Sequence, residues 1–424
     1  MRRKAGSRRR ITSIIVKCSL VNITSSHSVH RSVSSLSAIL LLCILLIACK
    51  QKERTSEAVP KLSQPSILPL SSESFLDAPL VYHSDDGTTI HHLKQASDYS
   101  LTAHTDTSLS HTPTISVYAN NLFQYEVDIR NMHTPPATVL SGLDTVLVSS
   151  DIEGNYEAFV SLLQGNGVID SDKNWMYNDN HLVLIGDMLD RGDEVLQVLW
   201  LIYKLEAEAE NHGGGVHYLL GNHEQMNLRS NHKAQNTSYV HLDYMRYASA
   251  LGIPYQDWFS SNAELGRWLR SKNTILAIDR ILFVHGGIGS RTAGLQLSLE
   301  EINETIRATM DTNSADMDRV AALLHSAEGP MWYRGVADQE MPNKKVNKVL
   351  RVTDMDRMVI GHTLVDFHDI KPLYDDTVIP IDMHHSETFK EGVISALLIN
   401  TEGFYQVDNH GRPKLLFLHH PIKL

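Results

Sequence analysis

Beyond residue 49 the chain has no cysteine; Cys18, Cys43 and Cys49 are the only three in its 424 residues. A body without thiols forms no disulfide, carries no cysteine nucleophile and offers no thiolate to a metal, so its stability rests on core packing and on nitrogen and oxygen donors. A long apolar run is also missing. Leu36 to Ala48 falls short of the roughly 20 residues that a spanning helix needs, and its basic, serine-rich lead fits the hydrophobic core of a signal peptide. The third deficit is basic charge. The formal charge is -11, but the first 48 residues hold eight Lys or Arg and no acid; without them 30 basic residues face 49 acidic ones, which is -19. So acidic a body is a poor general binder of nucleic acid, and no nucleic-acid partner is expected.

The apolar run ends Leu46-Ile47-Ala48-Cys49, which resembles the lipobox of bacterial lipoproteins, where the cysteine is lipidated and becomes the new N-terminus. That implies a signal segment over 1–48 and a membrane attachment through lipid on Cys49. It places the protein in the cell envelope, on the periplasmic or extracellular face. A short membrane anchor with an incidental cysteine is the competing reading. The basic lead from Met1 to Arg31 is longer than an ordinary n-region; a start at Val29 would restore the usual length. Residues 49–72 are polar, with Pro60, Pro65 and Pro69, and fit a flexible tether. Alternating runs such as Leu80-Val81-Tyr82 and Ile115-Ser116-Val117-Tyr118 make 73–140 a small β accessory segment, with Asp85-Asp86-Gly87 as a hairpin turn. Gln95 to Thr114, rich in Ser, Thr and His, is expected to be a loop.

From about Ser141 one pattern recurs. Val146-Leu147-Val148 leads to Asp151-Ile152-Glu153-Gly154. Leu182 to Ile185 leads to Gly186-Asp187-Met188-Leu189-Asp190-Arg191-Gly192. Tyr218-Leu219-Leu220 leads to Gly221-Asn222-His223-Glu224. Ile281 to Val284 leads to His285-Gly286-Gly287, and Met358-Val359-Ile360 to Gly361-His362-Thr363. Each is a short apolar run that reads as a buried strand and ends in a polar residue, so the strand ends can converge on one cluster of oxygen and imidazole donors. Tyr156 to Gln164 and Asp193 to Glu210 read as helices. In the second, Val195, Val198, Leu199, Ile202 and Leu205 form one apolar face. Helical, aromatic insertions are expected between Glu224 and Thr274 and from Leu297 to Glu328, where a cap over a site would sit; ordinary packing explains the same aromatics. Strands from Val393 to Ile399 and Leu415 to Leu418 close the chain. Strands alternating with helices argue an α/β layered fold.

Phosphate-ester hydrolysis needs phosphoryl charge neutralised, water activated and the leaving oxygen protonated. Two divalent cations roughly 3.5–4 Å apart accomplish the first two, and mixed carboxylate and imidazole donors suit Mn, Fe or Zn better than Ca.

The ordered series Gly-Asp-x-x-Asp-Arg-Gly, Gly-Asn-His-Glu, His-Gly-Gly and Gly-His-Thr, with Asp151 before them, resembles the phosphoprotein phosphatase branch of the calcineurin-like metallophosphoesterases. Gly329-Pro330-Met331-Trp332-Tyr333-Arg334-Gly335 is similar to the bacterial Shewanella-like phosphatases within it. The resemblance spans 141–424. It implies an α/β fold, a two-sheet β-sandwich flanked by helices, with a dimetal site at the strand ends and Mn, Fe, Zn or Mg as the ions. It implies Asp151 and position 153 on the first ion, Asp187 bridging, and Asn222, His285 and His362 on the second. His223 becomes the general acid, oriented by Asp190, and Arg191 and Arg334 grip phosphate oxygens, although the Arg334 segment also fits a structural turn.

Glu153 departs from the pattern, which has histidine there. A carboxylate still ligates Mn or Mg and would harden the first position; a weakened first position and a surface glutamate are the alternatives. His384-His385 near Asp382 fit outer-shell partners better than ligands. The implied activity is phosphomonoester hydrolysis on phosphoserine/threonine or phosphotyrosine proteins, or on small phosphoesters. A phosphodiester or dinucleoside-polyphosphate hydrolase and a non-catalytic binding module are the alternatives.

Overall fold

Val146 and Val148 face one way and Leu147 the other, and this alternation builds the molecule. In the computed structural model, which describes residues 73–229 and 239–419, Val146, Val148, Val183, Phe283, Val359 and Leu397 share one buried cluster. Their neighbours Leu147, Leu182, Leu184, Leu282, Met358 and Ala396 belong to another. Successive strand residues point to opposite faces, so one set fills the space between two sheets and the other meets helices. The signal segment, the tether and Cys49 lie outside the described residues.

The first sheet has six strands in the order Gly215–Tyr218, His181–Leu184, Thr145–Ser149, Ser395–Asn400, Gly403–Asp408, Pro413–Leu418. Its first three are mutually parallel and the rest antiparallel. The second sheet runs Val378–Pro380, Arg357–Ile360, Ile281–Val284, Ile275–Ile278, Val139–Leu140. Its first three strands are also parallel. The helix Val195–Asn211 packs on the outer face of the first sheet and Leu299–Thr309 on that of the second. This is the expected two-sheet sandwich flanked by helices. Each sheet sends parallel C-terminal strand ends toward the same edge, where the charged motifs begin.

Ahead of these lie a four-stranded antiparallel sheet (Glu73–Phe75, Leu80–Ser84, Gly87–Ala96, Leu101–Ser108) and a hairpin (Thr114–Ala119, Leu122–Asp128). The expected loop over Gln95 to Thr114 is therefore largely strand: Leu101–Ser108 pairs along Gly87–Ala96. Most of its residues are exposed on both faces, so no apolar alternation marks it, while its threonines suit a pleated backbone. Gly403–Asp408 was likewise not anticipated; paired on both sides, it shows no two-residue period.

Candidate metallophosphoesterase site

The five strand-end turns meet at the sandwich edge. Asp151 donates its N–H to the Gly186 carbonyl (3.1 Å), and Glu153 donates to Asp187 (3.0 Å), so the first two motifs brace each other. Gly361 donates to the His285 carbonyl (2.9 Å), which joins the last two. The His362 N–H on an Asp151 carboxylate oxygen (3.0 Å) ties the two sheets together. Tight turns are needed for this. Asp151, Glu153, Asp187, Asp190, Arg191 and His362 all hold left-handed backbone, with φ between +52° and +69°. Such strain costs of order 1–3 kcal/mol per residue and collects at functional sites. Gly186, at φ +94°, permits the closest approach: a Cβ there would meet the Gly221 nitrogen at 2.5 Å and His285 Nδ1 at 2.9 Å.

Proton positions follow from the partners. His285 Nδ1 lies 2.7 Å from the Ile185 carbonyl, which can only accept, so Nδ1 carries a proton and Nε2 is the nitrogen left to meet a cation; without one, burial lowers the ring but Asp187 and Asp151 raise it to about 10, so Nε2 is protonated as well. That Nε2 stands 3.0 Å from Asn222 Oδ1 and 3.1 Å from Asp187 Oδ2. His362 Nε2 faces the Trp332 carbonyl at 3.1 Å, which leaves Nδ1 as its donor. One ligand atom each from Asp187, His285 and His362 lies within 4.8 Å of the others, and all three residues are buried. These are donors of the right hardness for a divalent metal, and Arg334 Nη2 stands 3.4 Å from His362 Nδ1.

Asp151 and Glu153 line the same edge. Burial raises both carboxyls, reinforced by the charge of Asp187 against the opposing pull of His285 and Arg191 respectively; Glu153 reaches about 7. Burial works against Asp187 too, but His285 and His223 hold it well below the usual carboxylate range. Glu153 is 6% exposed and ion-paired with Arg191, which overturns the surface-glutamate reading.

His223 sits across Asp187, its Nε2 3.8 Å from Oδ2 and its Nδ1 2.8 Å from Asp190. Asn227 (3.0 Å) and the Tyr255 hydroxyl (3.3 Å) donate to Asp190 and hold it in place. Burial lowers the affinity of His223 for a proton, but Asp187 and Asp190 outweigh it and raise the ring to about 9. Arg191 and Arg334 are exposed at the rim. Arg334 donates to the His362 carbonyl and to Thr363 Oγ1 (3.2 Å), so the turn after the last strand rests on it.

Two residues escaped the sequence reading. Glu224 accepts four hydrogen bonds, from the N–H groups of Asp187, Met188 and Gly221 and from the Tyr218 hydroxyl. It completes Gly-Asn-His-Glu, so its signal lay in the motif. Asp382 follows Val378-Ile379-Pro380-Ile381, a sixth apolar run ending in an acid. The insertion aromatics Tyr244, Tyr255, Trp258 and Trp268 are buried against one another or the core. None of the four is a wall on which a nucleobase could stack.

A family model described as calcineurin-like phosphoesterase matches residues 145–366, just over half of the 424. The chain belongs to the calcineurin-like phosphoesterases. Members use a dimetal centre, and this phosphoesterase presents candidate ligands for one. It is 26% identical over 302 residues to Shewanella-like protein phosphatase 2 of Arabidopsis thaliana, covering 61% of this chain and 76% of that protein. Shewanella-like protein phosphatase 1 of Plasmodium berghei is 25% identical over 233 residues, 53% of this chain and 62% of the relative. Among solved structures, the cold-active protein-tyrosine phosphatase of a psychrophilic Shewanella superimposes with a TM-score of 0.70 at 28% identity, over 80% of this chain and 99% of that one.

Proposed function

We propose that this phosphoesterase is a metal-dependent phosphoprotein phosphatase, with phosphotyrosine among its substrates. One observation carries the reading: ligand atoms of the buried Asp187, His285 and His362, from three separate strand ends, lie within 4.8 Å of one another, with Asn222 Oδ1 3.0 Å from His285 Nε2. Similarity to a protein-tyrosine phosphatase along nearly the whole of that protein supports the substrate class. Asp151, Glu153 and Asp187 would hold one cation, and Asp187, Asn222, His285 and His362 the other; the added carboxylate at 153 favours Mn or Mg. Two bound cations neutralise phosphoryl charge and make water nucleophilic near neutral pH. His223, protonated on both nitrogens, anchors Nδ1–H on Asp190 and donates its Nε2 proton to the leaving oxygen as the P–O bond breaks. Arg191 and Arg334, open to solvent at the rim, are placed to hold phosphate oxygens from outside.

The test is a chromogenic phosphomonoester, then a phosphopeptide panel, with Mn added to purified protein. Mn-dependent release of phosphate is expected. A folded protein that turns over nothing with any divalent ion would point instead to a binding module. We also place the protein at the cell envelope, on the lipobox-like Leu46-Ile47-Ala48-Cys49. Labelled palmitate should enter the full chain when it is expressed in bacteria and be absent from Cys49→Ala. Equal labelling of the two would remove the anchor.

A further inference from the structure

One aromatic of the insertion after Glu224 stays out of its core. Tyr244, Tyr255 and Trp258 are buried, but Tyr239 is 37% exposed. Its backbone is tied to the turn that carries Asp187 and Asp190, since the Tyr239 carbonyl accepts the Arg191 N–H at 2.6 Å. Its ring makes a T-shaped contact with His223, with centroids 5.0 Å apart and planes at 79°. The Arg191 guanidinium stands 6.0 Å from the same centroid. Trp332, which also borders the cluster, makes its ring contact with His362 instead, at 6.2 Å.

Both ring partners of Tyr239 have work in the proposed reaction. His223 gives its proton to the leaving oxygen, and Arg191 holds phosphate oxygens. The leaving oxygen departs beside the group that protonates it, so whatever it is bonded to comes off next to His223. In phosphotyrosine that is a phenyl ring, large, rigid and able to meet another ring face to edge or offset. In phosphoserine it is one methylene, with no such face to offer. A half-exposed tyrosine at this spot is therefore placed to tell the two apart.

We propose that Tyr239 determines specificity for the leaving group: its ring is the wall against which the phenyl ring of an aryl phosphate packs while the phenolic oxygen faces His223. The residue touches substrate without touching the reacting atoms, so it acts on binding. The inference rests on the phosphatase reading above and names the residue that selects phosphotyrosine within it.

The test compares phenylphosphonate with methylphosphonate, two phosphoryl probes that resist ester hydrolysis and differ in carrying a ring or a methyl group. An aromatic pair changes affinity by roughly 2- to 12-fold. Titration calorimetry on the full chain loaded with Mn should show the phenyl probe bound about threefold more tightly or better. Tyr239→Leu keeps apolar bulk and removes the ring, and should lose most of that preference through weaker phenylphosphonate binding. Tyr239→Phe should retain it. Peptides give a second reading. On a phosphotyrosine peptide and its phosphoserine counterpart, Tyr239→Leu should raise KM for the first by about threefold or more, with the loss in KM rather than kcat. An unchanged probe preference in Tyr239→Leu would overturn the proposal; equal losses of turnover on both peptides would then show that the ring only props His223. A wild type without preference for the phenyl probe would overturn it as well. A preference that depends on Tyr239, in a chain that hydrolyses neither peptide, would uphold the aryl site and overturn the phosphatase reading beneath it.

Discussion

His223→Asn is expected to lower turnover of esters with poor leaving groups by about 10²–10⁴-fold, the usual contribution of a positioned general acid. Esters with good leaving groups, which depart without a proton, should lose far less. The geometry dictates the asymmetry. His223 is anchored by Asp190 at 2.8 Å, while its other nitrogen faces the Asp187 side of the cluster. Metal content should be unchanged, because the residue's N–H to Asp187 Oδ1 comes from the backbone and survives the substitution. The pH dependence follows. Burial lowers this ring, but Asp187 and Asp190 raise it to about 9 in the metal-free protein. The acid form is therefore present at neutral pH and disappears as pH rises through that value. Cations on Asp187 weaken its pull, so the alkaline limb of kcat for poor leaving groups should lie below 9. It should vanish in His223→Asn. Equal losses for good and poor leaving groups, or an unaltered limb, would remove His223 from the acid role.

The second large effect concerns stability. Glu224→Gln is nearly isosteric, yet it should destabilise the protein by about 1–3 kcal/mol, since the new N–H₂ group can donate to the Tyr218 hydroxyl but leaves the buried Met188 N–H facing it. Glu224 is fully buried. Oε1 takes the Met188 N–H (2.9 Å) and the Tyr218 hydroxyl (2.7 Å); Oε2 takes the N–H groups of Asp187 (2.9 Å) and Gly221 (2.6 Å). An amide oxygen satisfies one pair; its N–H₂ can donate to the Tyr218 hydroxyl but opposes a backbone N–H in either orientation. The turn bearing Asp187 and the turn bearing Asn222 and His223 would then lose their common anchor, so Mn affinity should fall along with stability. Urea unfolding decides the matter: a shift below about 0.5 kcal/mol, the range of an unremarkable surface change, would show that the four contacts do not hold the turns.

Much of the fold was legible because the central strands are short apolar runs that stop abruptly at Gly, Asp, Asn or His. Burial on both faces demands such runs, and a turn must follow when the run ends. The helix expected from Asp193 to Glu210 appears at Val195–Asn211 for a similarly local reason, its apolar face. Leu101–Ser108 was not legible, since an exposed strand held by a neighbour's hydrogen bonds leaves no apolar period.

The sequence by itself determined which donors leave the strands first: Asp151, Asp187, Asn222, His285 and His362 each follow an apolar run within a few residues, and a backbone that short has little freedom in what it delivers. Only the tertiary structure decided that His285 presents Nε2 and His362 Nδ1, and that Glu153 pairs with Arg191. Those choices are made by hydrogen bonds and ion pairs between separate turns, such as the one joining Ile185 to His285 across 100 residues of chain. No local pattern encodes such a contact, because neither partner is fixed until both sheets have closed on their shared core.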